Sequence, residues 1–315
     1  MQLFFHILHN MLPLYAIMLI GMLAGRRLQL DGKTLGNLAL FVLVPAVMVR
    51  FVVDIELRAE YALLPLIVVG AEAMLALVTY QIAKRLYPDG RANLVTMCAV
   101  MGNTGYFGIP VVLMVFGPDW LGVYMFMLLG TIIFQATGGY YLAARGSFTA
   151  AESMRKLARF PFGYAIVAAL AINLAGVELP ESLDIWQAHV QGAFIIIGML
   201  IIGIALPPVR ELRFDPVFVG YSFVVKYLVW PAIMAGVIWL DVSQFHLFEP
   251  EIHWMLMIIA IMPPAANVPA LAIHLDLLPD KAATVVMTST LFALVYVPLV
   301  LWLTGKVIPT ATLGG

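Results

Sequence analysis

The chain has 315 residues, of which 63% are hydrophobic and 11% charged, and its net charge is −1. A soluble domain carries about 25% charged residues, so this composition excludes a soluble globular protein and marks a polytopic membrane protein. No basic bias points to nucleic acid, and the single cysteine, Cys98, excludes an intrachain disulfide framework and a cysteine-based metal site.

A membrane span needs about 20 mainly apolar residues. Taken in chain order, the sequence predicts ten, at 9–27, 35–53, 61–83, 92–116, 119–143, 160–177, 186–207, 216–240, 252–274 and 281–304. The first run lacks a basic start and is too long for a signal peptide, so it is read as a retained span. The basic residues test the count. The loops after spans 1, 3, 5, 7 and 9 hold 13 of the 17 Lys and Arg residues, among them Arg26, Arg27, Arg85, Arg155, Lys156, Arg210 and Lys281. The opposite side holds only Arg50, Arg58 and Lys306, together with most of the carboxylates, such as Asp54, Glu56, Asp184, Asp241 and Glu249. The positive-inside rule then places both termini on the non-cytoplasmic side of a cell membrane, the bacterial inner membrane.

The longest cytoplasmic loop, residues 144–159, separates a first five-span repeat, residues 1–143, from a second, residues 160–315. Five is odd, so two similar halves insert with opposite orientation, which is the inverted-repeat plan of many secondary transporters. The expected fold is an all-α membrane protein of ten helices in a 5+5 inverted repeat, with broken spans 4 and 9.

The breaks are the main signal. Span 4 contains "MGNTGYFGIP", with Asn103, Thr104, Gly105 and Pro110. Span 9, at the matching place in the second half, contains "IMPPAANVPALA", with Pro263, Pro264 and Asn267. Proline removes an N–H and clashes with the preceding turn. Unwound backbone at membrane depth is tolerated only inside protein or beside water. Paired broken spans are the best sequence pointer to a transport site, and helix N-termini with Asn amides suit an anion. A packed proline kink is the competing reading of either break taken alone.

Two charges, Glu72 in span 3 and Lys226 in span 8, fall near mid-membrane in equivalent spans. Two readings stand open: a coupling or gating pair beside an anion site, or a structural ion pair. Gln135 in span 5 and Thr290 in span 10 are candidates to flank the breaks. His253 and His274 are read as interfacial. No cofactor is implied, no grouping has metal-ligand spacing, and no phosphate loop supports ATP-driven transport. Coupling to H⁺, through Glu72, or to Na⁺ is open. Neither a protease pair, a signalling segment nor charged rings of a channel are visible, so an enzyme is not expected.

"MGNTGYFGIPVV", "IMPPAANVPALA", "FVVKYLVWPAIM" and "AATVVMTSTLFALVYVPLVLWL" occur in this order. Over nearly the whole chain the sequence resembles the auxin efflux carrier family, as a bacterial relative of the plant carriers. The resemblance implies a scaffold and homodimer surface from spans 1, 2, 6 and 7, and a moving transport domain from spans 3–5 and 8–10. It also implies a bile-acid-symporter/NhaA-like fold in which the broken spans 4 and 9 cross at the substrate site, so that Asn103, Pro110, Pro263, Pro264 and Asn267 match that site. Glu72 and Lys226 match a charged support site behind the crossing. The implied activity is elevator-type transport of a small organic carboxylate. A sodium-coupled symporter of bile-acid type is the alternative, weakened by the lack of an acidic residue in the span 9 break. Gly102 stands where plant members have proline, and their long hydrophilic loop is absent, which points away from auxin itself.

Overall fold

The structure is a computed structural model that describes residues 1–139, 161–177, 179–180, 182–208, 212, 214–274 and 277–308. The loop expected at 144–159 lies outside the described residues. Among those described, the chain is helical apart from turns and short extended pieces: α1 (Gln2–Leu28), α2 (Gly32–Val53), α3 (Ala59–Leu86), α4 (Arg91–Val100), α5 (Thr104–Phe116), α6 (Leu121–Phe134, continued by a wide turn Gln135–Gly139), α7 (Pro161–Leu174), α8 (Ser182–Ala205), α9 (Pro216–Phe245), α10 (Pro250–Ile261), α11 (Val268–His274) and α12 (Pro279–Val307). Six of these, α1, α2, α3, α8, α9 and α12, are long and apolar enough to cross a membrane. The protein is therefore an all-α, multi-pass membrane protein. Helix occupies part of each of the ten apolar segments, and the segments at 92–116 and 252–274 are each split into two helices.

Several helices run past the predicted limits. α1 begins at Gln2 rather than residue 9, and α9 continues to Phe245 through a π-turn at Asp241–Phe245. That extension has a local cause. The Asp241 carboxylate accepts the N–H groups of Leu247 and Phe248 and bonds His253 Nε2 at 2.8 Å, closing the turn into α10. His253, read as interfacial from its place near a span end, is buried within the protein, only 4% exposed, as the partner of a buried carboxylate. The side chain of His274 lies outside the described residues.

Three prolines shape the helices in the same way. π-turns at Ala39–Leu43, Thr104–Gly108 and Val225–Val229 each end two residues before a proline, at Pro45, Pro110 and Pro231. Proline has no N–H, and its ring clashes with the carbonyl four residues back. A single wider turn ahead of the ring relieves that clash while the helix continues.

The bundle is stitched at both ends. At one end Arg50 pairs with Asp184 and Asp54, Arg58 reaches Glu249 at 2.5 Å, and Asn173 Nδ2 donates to the Val53 and Ile55 carbonyls at the end of α2. At the other end the Arg26 guanidinium donates to the Pro207 carbonyl, and Lys281 pairs with Asp215, the N-cap of α9. The Lys281 ammonium and the Phe218 N–H hold the Asp215 carboxyl below the usual carboxylate range. The residues in these two sets come from opposite sides of the charge alternation in the sequence.

α1 and α8 pack at backbone contact. A Cβ on Gly203 would lie 2.0 Å from the Met18 carbonyl oxygen, and one on Gly21 would lie 2.5 Å from that of Leu200. Small residues permit this approach where lipid offers no hydrophobic drive for helix association. Gly203→Val is expected to force the pair apart, at a cost of about 1–3 kcal/mol or more, read as a lowered melting temperature of the purified protein. Gly220→Ala in α9, which meets nothing within 4 Å, is expected to leave that temperature unchanged.

Candidate functional site

The two helix breaks meet. α4 ends at Val100, and Met101 and Asn103 leave the helical region, with ψ of 84° and 55°. α10 ends at Ile261, and Met262 is extended. Where the two segments cross they form one antiparallel bridge, Gly102 to Pro264. The Asn103 N–H donates to the Pro263 carbonyl, and the Ala265 N–H donates to the Met101 carbonyl, both at 2.7 Å. Each break thus supplies what the other lacks. Pro263 and Pro264 bring no N–H that would need a partner, and the carbonyl of Pro263 takes a donor from the opposite strand.

Neighbouring side chains complete the pairing. Gln135 Nε2 donates to the Gly102 carbonyl at 3.3 Å, and the Tyr124 hydroxyl to the Thr104 carbonyl at 2.9 Å. The Asn103 carbonyl accepts the N–H groups of Phe107 and Gly108, which starts α5. The N–H groups of the first turn of a helix have no acceptor within the helix, and at α5 these are on Thr104, Gly105 and Tyr106.

The sequence-predicted residues separate on inspection. Asn103, Thr104, Pro263 and Pro264 are buried at the crossing. Asn103 is 5% exposed, and its side-chain amide bonds to no described residue. Gly105 is half-buried beside it, and Pro110 is buried one turn further along α5. Asn267 lies past the bridge with an exposed side chain, while its carbonyl starts α11 by accepting the Leu271 N–H. Gln135 belongs to the crossing. Thr290 does not touch it: its hydroxyl bonds back to the Val286 carbonyl, and its own carbonyl accepts the Tyr15 hydroxyl at 2.6 Å. Tyr124 and Tyr106 had no signal in the sequence, because an aromatic in an apolar span is indistinguishable from core until its partners are known.

Glu72 and Lys226 are each 1% exposed. A Cβ on Gly102 would lie 3.1 Å from Lys226 Nζ, so the glycine makes room for an ammonium directly behind the crossing. Pro231 explains why Lys226 is fixed there. The missing N–H of the proline frees the Tyr227 carbonyl four residues back, and the Tyr296 hydroxyl takes it at 2.5 Å. The Tyr227 hydroxyl donates in turn to the Ser289 carbonyl. The turn carrying Lys226 is therefore pinned to α12 on both sides of its own backbone. Glu72 Oε2, Thr131 Oγ1 and Lys226 Nζ have no hydrogen-bond partner among the described residues. No direct ion pair joins Glu72 and Lys226.

Removing one of two opposed buried charges leaves the other uncompensated, at about 3–5 kcal/mol. Glu72→Gln and Lys226→Met are each expected to lower the melting temperature of the purified protein, and the double variant to lose less than the sum of the two. Additive losses in this double-mutant cycle would contradict a coupled pair.

A family model described as membrane transport protein, the family of the auxin efflux carriers, matches residues 6–301. A transporter of Methanothermobacter thermautotrophicus that carries the name "uncharacterized transporter" is 25% identical over 288 residues, covering 90% of this chain and 92% of the relative. A second, from Methanocaldococcus jannaschii and named in the same terms, is 22% identical over 209 residues, 64% of this chain and 68% of the relative. With nearly its whole length matched, this chain belongs to the membrane transport protein family that contains the auxin efflux carriers.

Proposed function

We propose that the protein is a secondary transporter of a small organic carboxylate, with the crossing of the two breaks as its substrate site. The observation that carries this reading is the meeting of two unwound segments, joined by one backbone bridge, beside a buried ammonium and a buried amide that bonds to no described residue. The crossing gives a carboxylate a set of donors: the Asn103 amide and the free N–H groups that open α5. Lys226, behind Gly102, offsets the cost of bringing an anion into a medium of low dielectric. Asn267, on the exposed side of the crossing, is the group that an arriving anion meets first.

In this proposal the ten spans form a 5+5 inverted repeat. α1, α2, α7 and α8 are the scaffold and the surface for a second copy of the chain. α3–α6 and α9–α12 are the moving domain, which carries the crossing from one side of the membrane to the other. The backbone bridge favours such movement as a unit. Both breaks are hydrogen-bonded to each other and to α6 rather than to the scaffold, so displacement leaves their polar backbone satisfied. Glu72 and Lys226 lie within the moving domain and support the site from behind. The termini face away from the cytoplasm.

The test is flux into proteoliposomes with a panel of mono- and dicarboxylates. Asn103→Ala is expected to remove at least about nine-tenths of the flux, a loss of about 1.4 kcal/mol or more in interaction, while the protein remains folded and monodisperse. Full flux in a folded Asn103→Ala variant would contradict the site.

A further inference from the structure

We propose that Gly105 sets the upper size of the transported anion, and this rests on the carboxylate-site reading given above. The first turn of α5 is packed at every position except this one. The Thr104 carbonyl is held by the Tyr124 hydroxyl of α6. The Tyr106 ring lies against α8, where Gly198 is bare and a Cβ would come within 3.0 Å of Tyr106 Cδ1. The same ring stands 5.8 Å from that of Phe194, one turn earlier on α8. The Phe107 ring meets Tyr15 of α1 edge-on at 5.9 Å. At Gly108 a Cβ would fall 2.2 Å from the Tyr124 hydroxyl oxygen. A Cβ built on Gly105, by contrast, meets nothing within 4 Å.

Helical geometry places residue 105 angularly between its neighbours, so its open side lies between the α6 contact of Thr104 and the α8 contact of Tyr106. Two polar groups near it in the chain have no hydrogen-bond partner among the described residues: the side-chain amide of Asn103, a residue 95% buried, and the buried Tyr106 hydroxyl. Space beside a helix opening, close in the chain to these donors, is where the body of a carboxylate held by Asn103 extends. The absent side chain of residue 105 gives that body its room. A compact aliphatic carboxylate fits such a space, with each added methylene competing for the volume next to Gly105.

A Cβ at 105 meets nothing within 4 Å, so substitution is expected to change the substrate range and to leave the fold intact. The experiment is a thermal-shift titration of the purified full-length protein with malonate, succinate, glutarate and adipate, for the wild type, Gly105→Ala, Gly105→Leu and Asn103→Ala. The expected result is that Gly105→Ala loses stabilisation by the longest anion the wild type binds, by at least about tenfold in apparent Kd, and keeps the shorter ones. Gly105→Leu loses all of them, and the ligand-free melting temperatures agree. A Gly105→Leu profile equal to that of the wild type, with binding lost in Asn103→Ala, would overturn the size role alone. Stabilisation of the wild type by none of the four, or an unchanged Asn103→Ala profile, would overturn the carboxylate site and the size role with it.

Discussion

Every backbone N–H and C=O inside a bilayer has to be satisfied by protein, at several kcal/mol for each group left bare. This constraint organises the molecule. A continuous helix meets it alone, as α3 and α8 do, while α1 and α12 each carry an interior proline, Pro13 and Pro298, that frees one carbonyl. The segments at 91–116 and 250–274 do not, because each loses its helix for several residues. They meet the constraint by crossing, with Asn103 and Ala265 donating to the opposite break. Tyr124, Gln135 and Tyr296 then take carbonyls that the crossing and Pro231 leave over. The polar centre of the protein is therefore a by-product of satisfying broken backbone, and in the proposed mechanism the groups left without a partner among the described residues are the ones offered to the substrate.

The same logic separates the two kinds of proline. Pro45, Pro110 and Pro231 are absorbed by a π-turn and leave the helix running. Pro263 and Pro264 stand together and end it. One ring removes one N–H, which a wider turn can tolerate. Two in succession leave consecutive residues without donors, and extended backbone paired to another segment is then the better solution. Lys226 depends on the first kind and the crossing on the second, so the buried charge and the bridge both trace to proline chemistry in apolar helices.

Much of this was legible in the sequence. Composition gave the membrane class, and the basic residues grouped the loops as the end contacts group them: Arg26 with Pro207 and Asp215 with Lys281 at one end, Arg50 with Asp184 and Arg58 with Glu249 at the other. Both breaks were visible as Gly, Asn and Pro in otherwise apolar runs. Their contact was not, because residues 102 and 264 are joined by a bridge that leaves no local pattern. Asn103 and Asn267 looked equivalent, yet one is buried and the other exposed, since the first is next to the bridge at Gly102 and the second lies three residues past the bridge at Pro264. The burial of His253 was hidden for a related reason: its partner, Asp241, is twelve residues away in another helix. Tyr124, Tyr106 and Tyr296 act through a hydroxyl on an otherwise apolar ring, and hydropathy cannot distinguish such a ring from core.

The central claim is that the two breaks satisfy each other. Amide hydrogen exchange of the purified protein, resolved at residues 101–104 and 262–266, tests it most directly. Asn103 and Ala265 lie outside any helix, and the account predicts that their amides exchange as slowly as those of buried helices. Exchange at both positions as fast as in the exposed connections would contradict the crossing.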